Sequence, residues 1–168
     1  MDLLIGAGNS RVKKLGGGEW SSLVTLDIDP GTNPDVVWDL NDLPMPFASD
    51  TVTQVHAYDV LEHVGRQGDW KWWFAFHDEL WRILKPGGQF WAKVPRHDSV
   101  WAWGDPGHTR VIMKEQLVFL HRPAYAQVGS TPMTDYRPFF KGDWNIAVEH
   151  DATCMMFCLT AVKPARAA

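Results

Sequence analysis

The segment Leu3-Leu4-Ile5-Gly6-Ala7-Gly8-Asn9 places a glycine turn directly after a short apolar run. A second apolar run, at residues 23–26, ends in Asp27. A strand, a glycine turn and a second strand ending in an acid form the usual beginning of a nucleoside-binding α/β domain. Glycine lets the backbone approach a ligand closely, and a carboxylate accepts hydrogen bonds from ribose hydroxyls. The opening of the chain therefore predicts a nucleoside site.

The composition predicts one globular domain spanning residues 1–168. A net charge of −4 gives no electrostatic reason to expect tight binding to duplex nucleic acid or to a membrane surface. No apolar stretch approaches the roughly 20 residues of a spanning helix, and Met1-Asp2 lacks the basic start of a signal peptide. The two cysteines, Cys154 and Cys158, are too far apart on a strand for a disulfide. We therefore expect a cytoplasmic protein with packed core thiols.

Strand patterns alternate with helical ones, which is typical of an α/β fold with a mainly parallel sheet. The predicted strands are residues 3–5, 23–26, 35–38, 52–58 and 89–94, followed by an antiparallel hairpin of 144–149 and 154–162. The predicted helices are 11–15, 69–84 and 114–121, with 85–88 as a turn and 97–108 and 124–143 as irregular segments.

The ligand that the glycine turn favours carries no pyrophosphate. A dinucleotide site usually has a third glycine three positions after the second, where this chain has Arg11. A nicotinamide-dependent enzyme is therefore the weaker alternative. Asp39, at the end of the third predicted strand, is placed to accept the amino proton of an adenine.

Five motifs in order complete the pattern: 4–9 (Leu-Ile-Gly-Ala-Gly-Asn), 26–30 (Leu-Asp-Ile-Asp-Pro), 39–44 (Asp-Leu-Asn-Asp-Leu-Pro), 60–64 (Val-Leu-Glu-His-Val) and 84–88 (Leu-Lys-Pro-Gly-Gly). This series resembles class I S-adenosylmethionine-dependent methyltransferases, most closely the small methyltransferase-11-like branch associated with glycan synthesis. The resemblance is strong over residues 3–95 and fainter beyond. It implies a Rossmann-like, three-layer αβα domain that uses S-adenosylmethionine as its cofactor. The chain departs from the family in beginning at its first strand, so we expect it to lack the N-terminal cap helices that commonly cover this cofactor.

The resemblance also implies roles for individual residues around that cofactor. Those roles are a wrap around the methionine part (Gly6, Ala7, Gly8), ribose binding (Asp27), adenine packing (Ile28), recognition of the adenine edge (Asp39, Leu40), positions beside the sulfur (Tyr58, Asp59) and the base of the pocket (His63). One departure is Leu4, which stands where the family often has an acid that anchors the methionine amino group.

The acceptor is expected among residues 96–143, with 1–95 as the cofactor-binding half and 144–164 as a terminal hairpin. Asp59 and His97 follow the fourth and fifth strands and are the candidate catalytic bases. The resemblance implies a small molecule or a glycan-type substrate. Amino methylation of DNA is not expected, because residues 56–60 lack the Pro-Pro-aromatic sequence of the enzymes that carry it out. No metal is predicted, since His97, Asp98, Asp105 and His108 are loosely spaced in one irregular loop.

Two further expectations concern partners. A methyltransferase-like module that binds the cofactor without catalysis is the alternative function, since Leu4 replaces the acid.

The apolar residues of helix 69–84 span roughly 200° of arc, against about 100° on an ordinary surface helix. Either flanking loops cover this excess or a partner does, and a homodimer through this tryptophan-rich helix is predicted.

Overall fold

The computed structural model describes residues 1–167, which form one seven-stranded sheet. Five strands are parallel: β1 (Asp2–Ile5), β2 (Leu23–Asp27), β3 (Val36–Val37), β4 (Val52–Tyr58) and β5 (Leu84–Pro95). Two more, β6 (Trp144–His150) and β7 (Cys154–Ala161), form an antiparallel hairpin. The strand order is β3-β2-β1-β4-β5-β7-β6, so β7 lies antiparallel between β5 and β6. The predicted mainly parallel, Rossmann-like sheet with a C-terminal antiparallel pair is confirmed.

The helices are α1 (Trp70–Ile83), α2 (Val100–Gly104) and α3 (Lys114–Leu117), with 3-10 turns at Pro30–Thr32, Leu61–His63, Val118–Leu120 and Arg122–Gln127. Within residues 1–167, the helices all fall short of the length and apolar character that crossing a membrane requires.

The main core lies between one face of the sheet and α1. Alternate side chains of the central strands point to this face and join the apolar side of the helix; they include Leu3, Ile5, Val55, Ala57, Phe90, Phe76, Leu80 and Ile83. The helix begins where the Asp69 carboxylate accepts a hydrogen bond from the Trp72 amide (3.0 Å), and it ends as Leu84 becomes extended. The helix predicted at 69–84 is confirmed to within one residue.

The other face of the sheet is covered by the loop of residues 9–22. The helix predicted at 11–15 is wrong, because its backbone groups have partners outside any helical turn. The amides of Lys14 and Leu15 donate to the Tyr58 hydroxyl, and the Arg11 carbonyl accepts from the Trp20 indole (2.7 Å). Residues 16–18, all glycine, then take positive φ angles. The outer layer over these strands is therefore loop rather than helix.

Five other predicted segments also differ from the observed structure. Residues 85–88 are not a turn but a bulge of β5, where four residues lie opposite one residue of β4 between the Val52–Leu84 and Gln54–Gln89 pairs. The segment 97–108 contains α2, and the helix predicted at 114–121 becomes 3-10 after Leu117. A further 3-10 turn, Arg122–Gln127, extends into the segment predicted to be irregular from residue 124. The third strand shortens to Val36–Val37.

The wide apolar arc of α1 is covered by other segments of the same chain. The Trp70 ring packs on Tyr136 (5.5 Å between centroids) and on Phe139 (5.1 Å). The Trp81 indole donates to the Val162 carbonyl at 3.1 Å. Flanking segments of the same chain thus cover the excess apolar surface of α1. The homodimer stays a prediction, and the wide apolar arc no longer argues for it.

Acid should destabilise the fold through buried histidines. Burial lowers the pKa of His77 to about 3 and that of His56 to about 4, both below the value near 6.5 of an unfolded chain. Below pH 6.5 the unfolded chain therefore binds protons that the folded protein does not. The stability is present above pH 6.5 and is lost as the pH falls. For His77 alone we expect a loss of about 2 kcal/mol between pH 7 and pH 5.

His77→Phe should flatten this dependence by that amount, since the ring stays buried and the Trp73 carbonyl keeps its helical hydrogen bond. Denaturant unfolding at pH 7 and pH 5 measures the difference. His150→Phe, at an exposed position on β6, is the matched control and should keep the wild-type slope. If the unfolding free energy of His77→Phe fell between pH 7 and pH 5 as much as that of the wild type, the lowered pKa of His77 would not be the cause of the loss.

Candidate active site

The glycine turn after β1 lies at the carboxyl edge of the sheet, beside the ends of β2 and β4. Gly6 and Gly8 both adopt positive φ (59° and 49°). A Cβ added at Gly6 would lie 2.2 Å from the Val60 Cγ2 atom, whereas one added at Gly8 would have no atom of residues 1–167 within 4 Å besides its chain neighbours. Gly6 is therefore packed against the segment after β4, and Gly8 borders open space where a ligand has room to approach the backbone.

Asp27 ties this turn to the end of β2. Its carboxylate accepts hydrogen bonds from the Gly8 amide (2.7 Å) and from the Asp29 amide (2.9 Å), and the residue is only 8% exposed. Each carboxylate oxygen has a second lone pair, so Asp27 keeps capacity for a ribose hydroxyl. The neighbouring Ile28 is 63% exposed. This exposure leaves its side chain free to pack against the ring of a ligand.

Asp39 and Leu40 follow β3 on the same edge. The Asp39 carboxylate accepts from the Asn41 backbone amide (2.8 Å) and from its side-chain amide (2.9 Å), and Leu40 is buried. The Asn41 side chain in turn accepts from the Gly65 amide at 2.8 Å. These bonds hold the end of β3 against the segment that follows β4, so Asp39 and Leu40 lie at the same edge of the sheet as the glycine turn. The space beyond the carboxyl ends of these strands, where ligands bind in open α/β sheets, is called the groove below.

Arg11 is a structural residue of the site that the sequence interpretation missed. Its guanidinium donates to the Gly8 carbonyl (2.7 Å) and to the carbonyls of Thr32 (3.1 Å) and Asn33 (3.2 Å). The arginine thus clamps the glycine turn to the loop after β2. The only sequence signal for this role of Arg11 was its position, which is that of the third glycine in a dinucleotide site.

Tyr58 points its ring into the fold. The ring packs with Leu4 and Ala7 in a small apolar cluster under the loop of residues 9–22. Its hydroxyl accepts from the amides of Lys14 (3.1 Å) and Leu15 (3.2 Å) and contacts the His56 Nδ1 atom at 2.6 Å. Burial raises the pKa of Tyr58, so the phenol keeps its proton and donates it to His56. The Tyr58 side chain is thus buried beneath this loop, and its contact with a cofactor stays a prediction.

Tyr58→Phe should cost about 2–3 kcal/mol of unfolding free energy, because it leaves two backbone amides and an imidazole nitrogen without their partner. The affinity for S-adenosylhomocysteine should change less than about threefold, since the ring lies outside the groove. Chemical denaturation and calorimetry measure the two quantities. Tyr136→Phe is the control and should change neither. A large loss of affinity with unchanged stability would place the hydroxyl beside the ligand instead.

The two candidate bases differ in their surroundings. Both Asp59 carboxylate oxygens lie 3.0 Å from the Lys93 ammonium, and Lys14 is 3.8 Å away. His97 follows β5, is exposed, and lines a cavity of about 270 Å³ with Arg96, Lys114, Glu115, His150 and others. Asp59 therefore already serves an ion pair, whereas His97 faces an open space at the carboxyl edge.

Comparison with known proteins identifies the fold. Protein-family models and curated proteins give no match to this sequence. A SAM-dependent methyltransferase from Archaeoglobus fulgidus is similar in structure, with a TM-score of 0.61, 11% identity, and 95% of this chain and 85% of that chain covered. The N-methyltransferase NodS from Bradyrhizobium japonicum WM9 gives 0.56 and 14%, with coverage of 96% and 85%. NodS has also been solved in complex with S-adenosyl-l-homocysteine. This chain has the fold of the SAM-dependent methyltransferases.

In this methyltransferase fold, the segment after β5 returns to the edge that carries the glycine turn. The exposed His63 contacts the Gly107 carbonyl through its Nδ1 atom (3.1 Å), and its ring lies against His108. Of the four loop residues weighed as metal ligands, Asp98 instead pairs with Arg96, and Asp105 lies 3.8 Å from the His108 Nε2 atom.

A second cavity of about 200 Å³ lies between α1 and the segments around α3 and residue 136. Aromatic side chains form most of its wall, together with the buried Arg110; the aromatic residues are Trp70, Trp73, Phe74, Phe119 and Tyr136. Burial lowers the pKa of Arg110 to about 10. Sequence interpretation gave no sign of this cavity, because its residues are spread from 67 to 136 and meet only after folding.

Proposed function

We propose that this protein is a S-adenosylmethionine-dependent methyltransferase whose acceptor is a small molecule or a glycan-type substrate. The observation that carries the proposal is the arrangement at the carboxyl edge. A glycine turn with open space at Gly8, the Asp27 carboxylate bound to that turn, and Asp39 after the next strand all lie at the carboxyl edge of neighbouring parallel strands. Residues Gly6 to Gly8 would follow the methionine part, Asp27 the ribose, and Ile28, Asp39 and Leu40 the adenine.

The reaction is an in-line displacement at the methyl carbon. The acceptor lone pair forms the new bond to carbon, the carbon–sulfur bond breaks, and its electron pair neutralises the sulfonium to give the thioether S-adenosylhomocysteine. The protein mainly holds the two reactants within about 3–3.5 Å and in line. A protonated acceptor must also lose its proton, and His97 is the better of the two candidate bases because the Lys93 ammonium engages both Asp59 oxygens.

Two cavities support the proposal that the acceptor binds beyond β5. The cavity at His97 lies at the end of that strand, where ligands bind in open α/β sheets. The aromatic cavity at Arg110 has the mostly apolar wall with a few polar groups that is typical of small-molecule sites. Residues of 96–143 contribute to both, in agreement with the predicted acceptor segment.

Calorimetry with S-adenosylhomocysteine tests the cofactor, with a nicotinamide dinucleotide as the comparison ligand. We expect one site that binds the first compound and not the second, because Arg11 occupies the position a pyrophosphate site gives to glycine. Release of S-adenosylhomocysteine from S-adenosylmethionine with a panel of sugars and small hydroxyl or amine acceptors then tests transfer. No binding of either sulfur compound in the millimolar range would overturn the proposal.

A further inference from the structure

A cluster of two histidines and one glutamate lies next to the carboxyl end of β4. Glu62 and His63 belong to the 3-10 turn Leu61–His63, and His108 comes from the loop after α2. One side-chain donor atom from each of the three lies within 4.8 Å of the others. We propose that Glu62, His63 and His108 bind a divalent transition-metal ion of the zinc type, with an open coordination position towards the groove edge.

Backbone hydrogen bonds fix the two segments that carry these residues. The Glu62 carbonyl accepts from the Thr109 amide (2.8 Å) and from the Arg110 amide (3.3 Å), and the Gln67 amide donates to the Thr109 carbonyl (3.0 Å). The rings of His63 and His108 lie 4.6 Å apart between centroids. The cluster is thus built by the fold, although 45 positions separate the two histidines in the sequence (108 − 63).

The buried atoms of the cluster lack partners within residues 1–167. Glu62 is 3% exposed, its Oε2 atom has no hydrogen bond, and the nearest basic atom to its Oε1 is the His108 Nε2, 4.0 Å away. The His108 side chain is 9% exposed, and its Nδ1 atom is unpartnered as well. A buried carboxylate oxygen that meets neither a cation nor a hydrogen-bond donor is costly, and Glu62 Oε2 is such an atom. A bound cation would satisfy the carboxylate and a histidine nitrogen together.

The donor set selects the kind of metal. Two imidazoles and one carboxylate form a set used by catalytic zinc sites, which leave a fourth position open, whereas magnesium prefers oxygen ligands alone. The His63 Nδ1 atom is held by the Gly107 carbonyl, which fixes the ring and leaves Nε2 as the ligand. With bonds of about 2.0–2.2 Å, side-chain movements on the order of 1 Å close the present separations.

Zinc binding by the purified full chain, stripped with a chelator, tests the proposal without any methyl acceptor. In competition with a chromophoric chelator, we expect one equivalent of Zn²⁺ to bind and Mg²⁺ not to displace it. Zinc should also raise the melting temperature of the protein. Co²⁺ substitution should give the intense visible absorption of a four-coordinate site.

His63→Ala is the principal variant, because the residue is exposed and the change should leave the fold intact. The variant should weaken zinc binding by at least roughly 10- to 100-fold, which is the loss seen when a residue that only hydrogen-bonds to a metal ligand is removed. Glu62→Gln and His108→Ala should do the same, with circular dichroism as a check of folding. His150→Ala is the matched control and should bind zinc as the wild type does.

Absence of stoichiometric zinc binding in the wild type, or equal affinity in the His63 variant and the control, would overturn the metal site. The result is distinguishable from failure of the proposed function, because S-adenosylhomocysteine binding is measured separately. If the protein bound zinc but not S-adenosylhomocysteine, the methyltransferase proposal would be overturned and the metal site would be supported.

Discussion

Gly6→Ala is expected to destabilise the protein by about 3 kcal/mol or more. The added Cβ would lie 2.2 Å from one atom of Val60 and 2.6 Å from another, at a φ of 59° that L residues rarely adopt. Overpacking and left-handed strain each contribute on the order of 1–3 kcal/mol. The free energy of unfolding in denaturant measures the loss.

Gly8→Ala is the matched comparison, because it adds the same methyl group to the same turn in open space. It should cost only about 1–2 kcal/mol, the strain of its positive φ alone. Its affinity for S-adenosylhomocysteine should fall strongly, since the methyl group occupies space that the ligand needs. Combining Gly6→Ala with Val60→Ala should restore part of the lost stability. Equal stability of the two alanine variants would show that Val60 does not limit the turn.

Asp27→Asn is expected to weaken S-adenosylhomocysteine binding by about 10- to 150-fold, the equivalent of one charge-assisted hydrogen bond of roughly 1.5–3 kcal/mol. The asparagine has the same shape but offers one acceptor oxygen, whereas the carboxylate serves the amides of Gly8 and Asp29 on two oxygens. The turn should therefore loosen as well, which thermal unfolding would detect.

Calorimetry of Asp27→Asn beside Asp42→Asn separates a specific effect from a change of net charge. Asp42 is exposed in the loop after β3, and its variant should bind as the wild type does. If both variants lost affinity equally, general electrostatics would explain the result. If neither did, Asp27 would be a structural residue of the turn, and ribose recognition would have to come from another group.

The sequence predicted the elements whose residues carry a local pattern. β1, β2 and β4 are short apolar runs bounded by turn residues, and α1 combines an apolar arc with Asp69 as its cap. These features act over a few residues and are legible before folding. The glycine turn and Asp27 were found in the same way, because their spacing reflects the geometry of one strand–turn–strand unit.

Predictions failed where a distant residue supplied the decisive hydrogen bond. Residues 11–15 have the length of a short helix. However, two of their amides donate to the Tyr58 hydroxyl, and the Arg11 carbonyl accepts from the Trp20 indole. Residues 85–88 contain Pro and Gly, yet β5 pairs with β4 on both sides of them, at Leu84 and from Gln89 onward, and they form a bulge. Local sequence carries no record of such partners, and Tyr58 lies 44 and 43 positions from the amides of Lys14 and Leu15 that it accepts from.

The sequence by itself determined the strand–turn–strand unit at the start of the chain and the long helix, because each depends on neighbouring residues. Only the tertiary structure decided that β7 lies between β5 and β6, that Arg11 clamps the turn, and that His108 meets Glu62 and His63. The physical reason is that these contacts join segments far apart in the chain. They form only when burial of the shared core fixes the path of the loops between them.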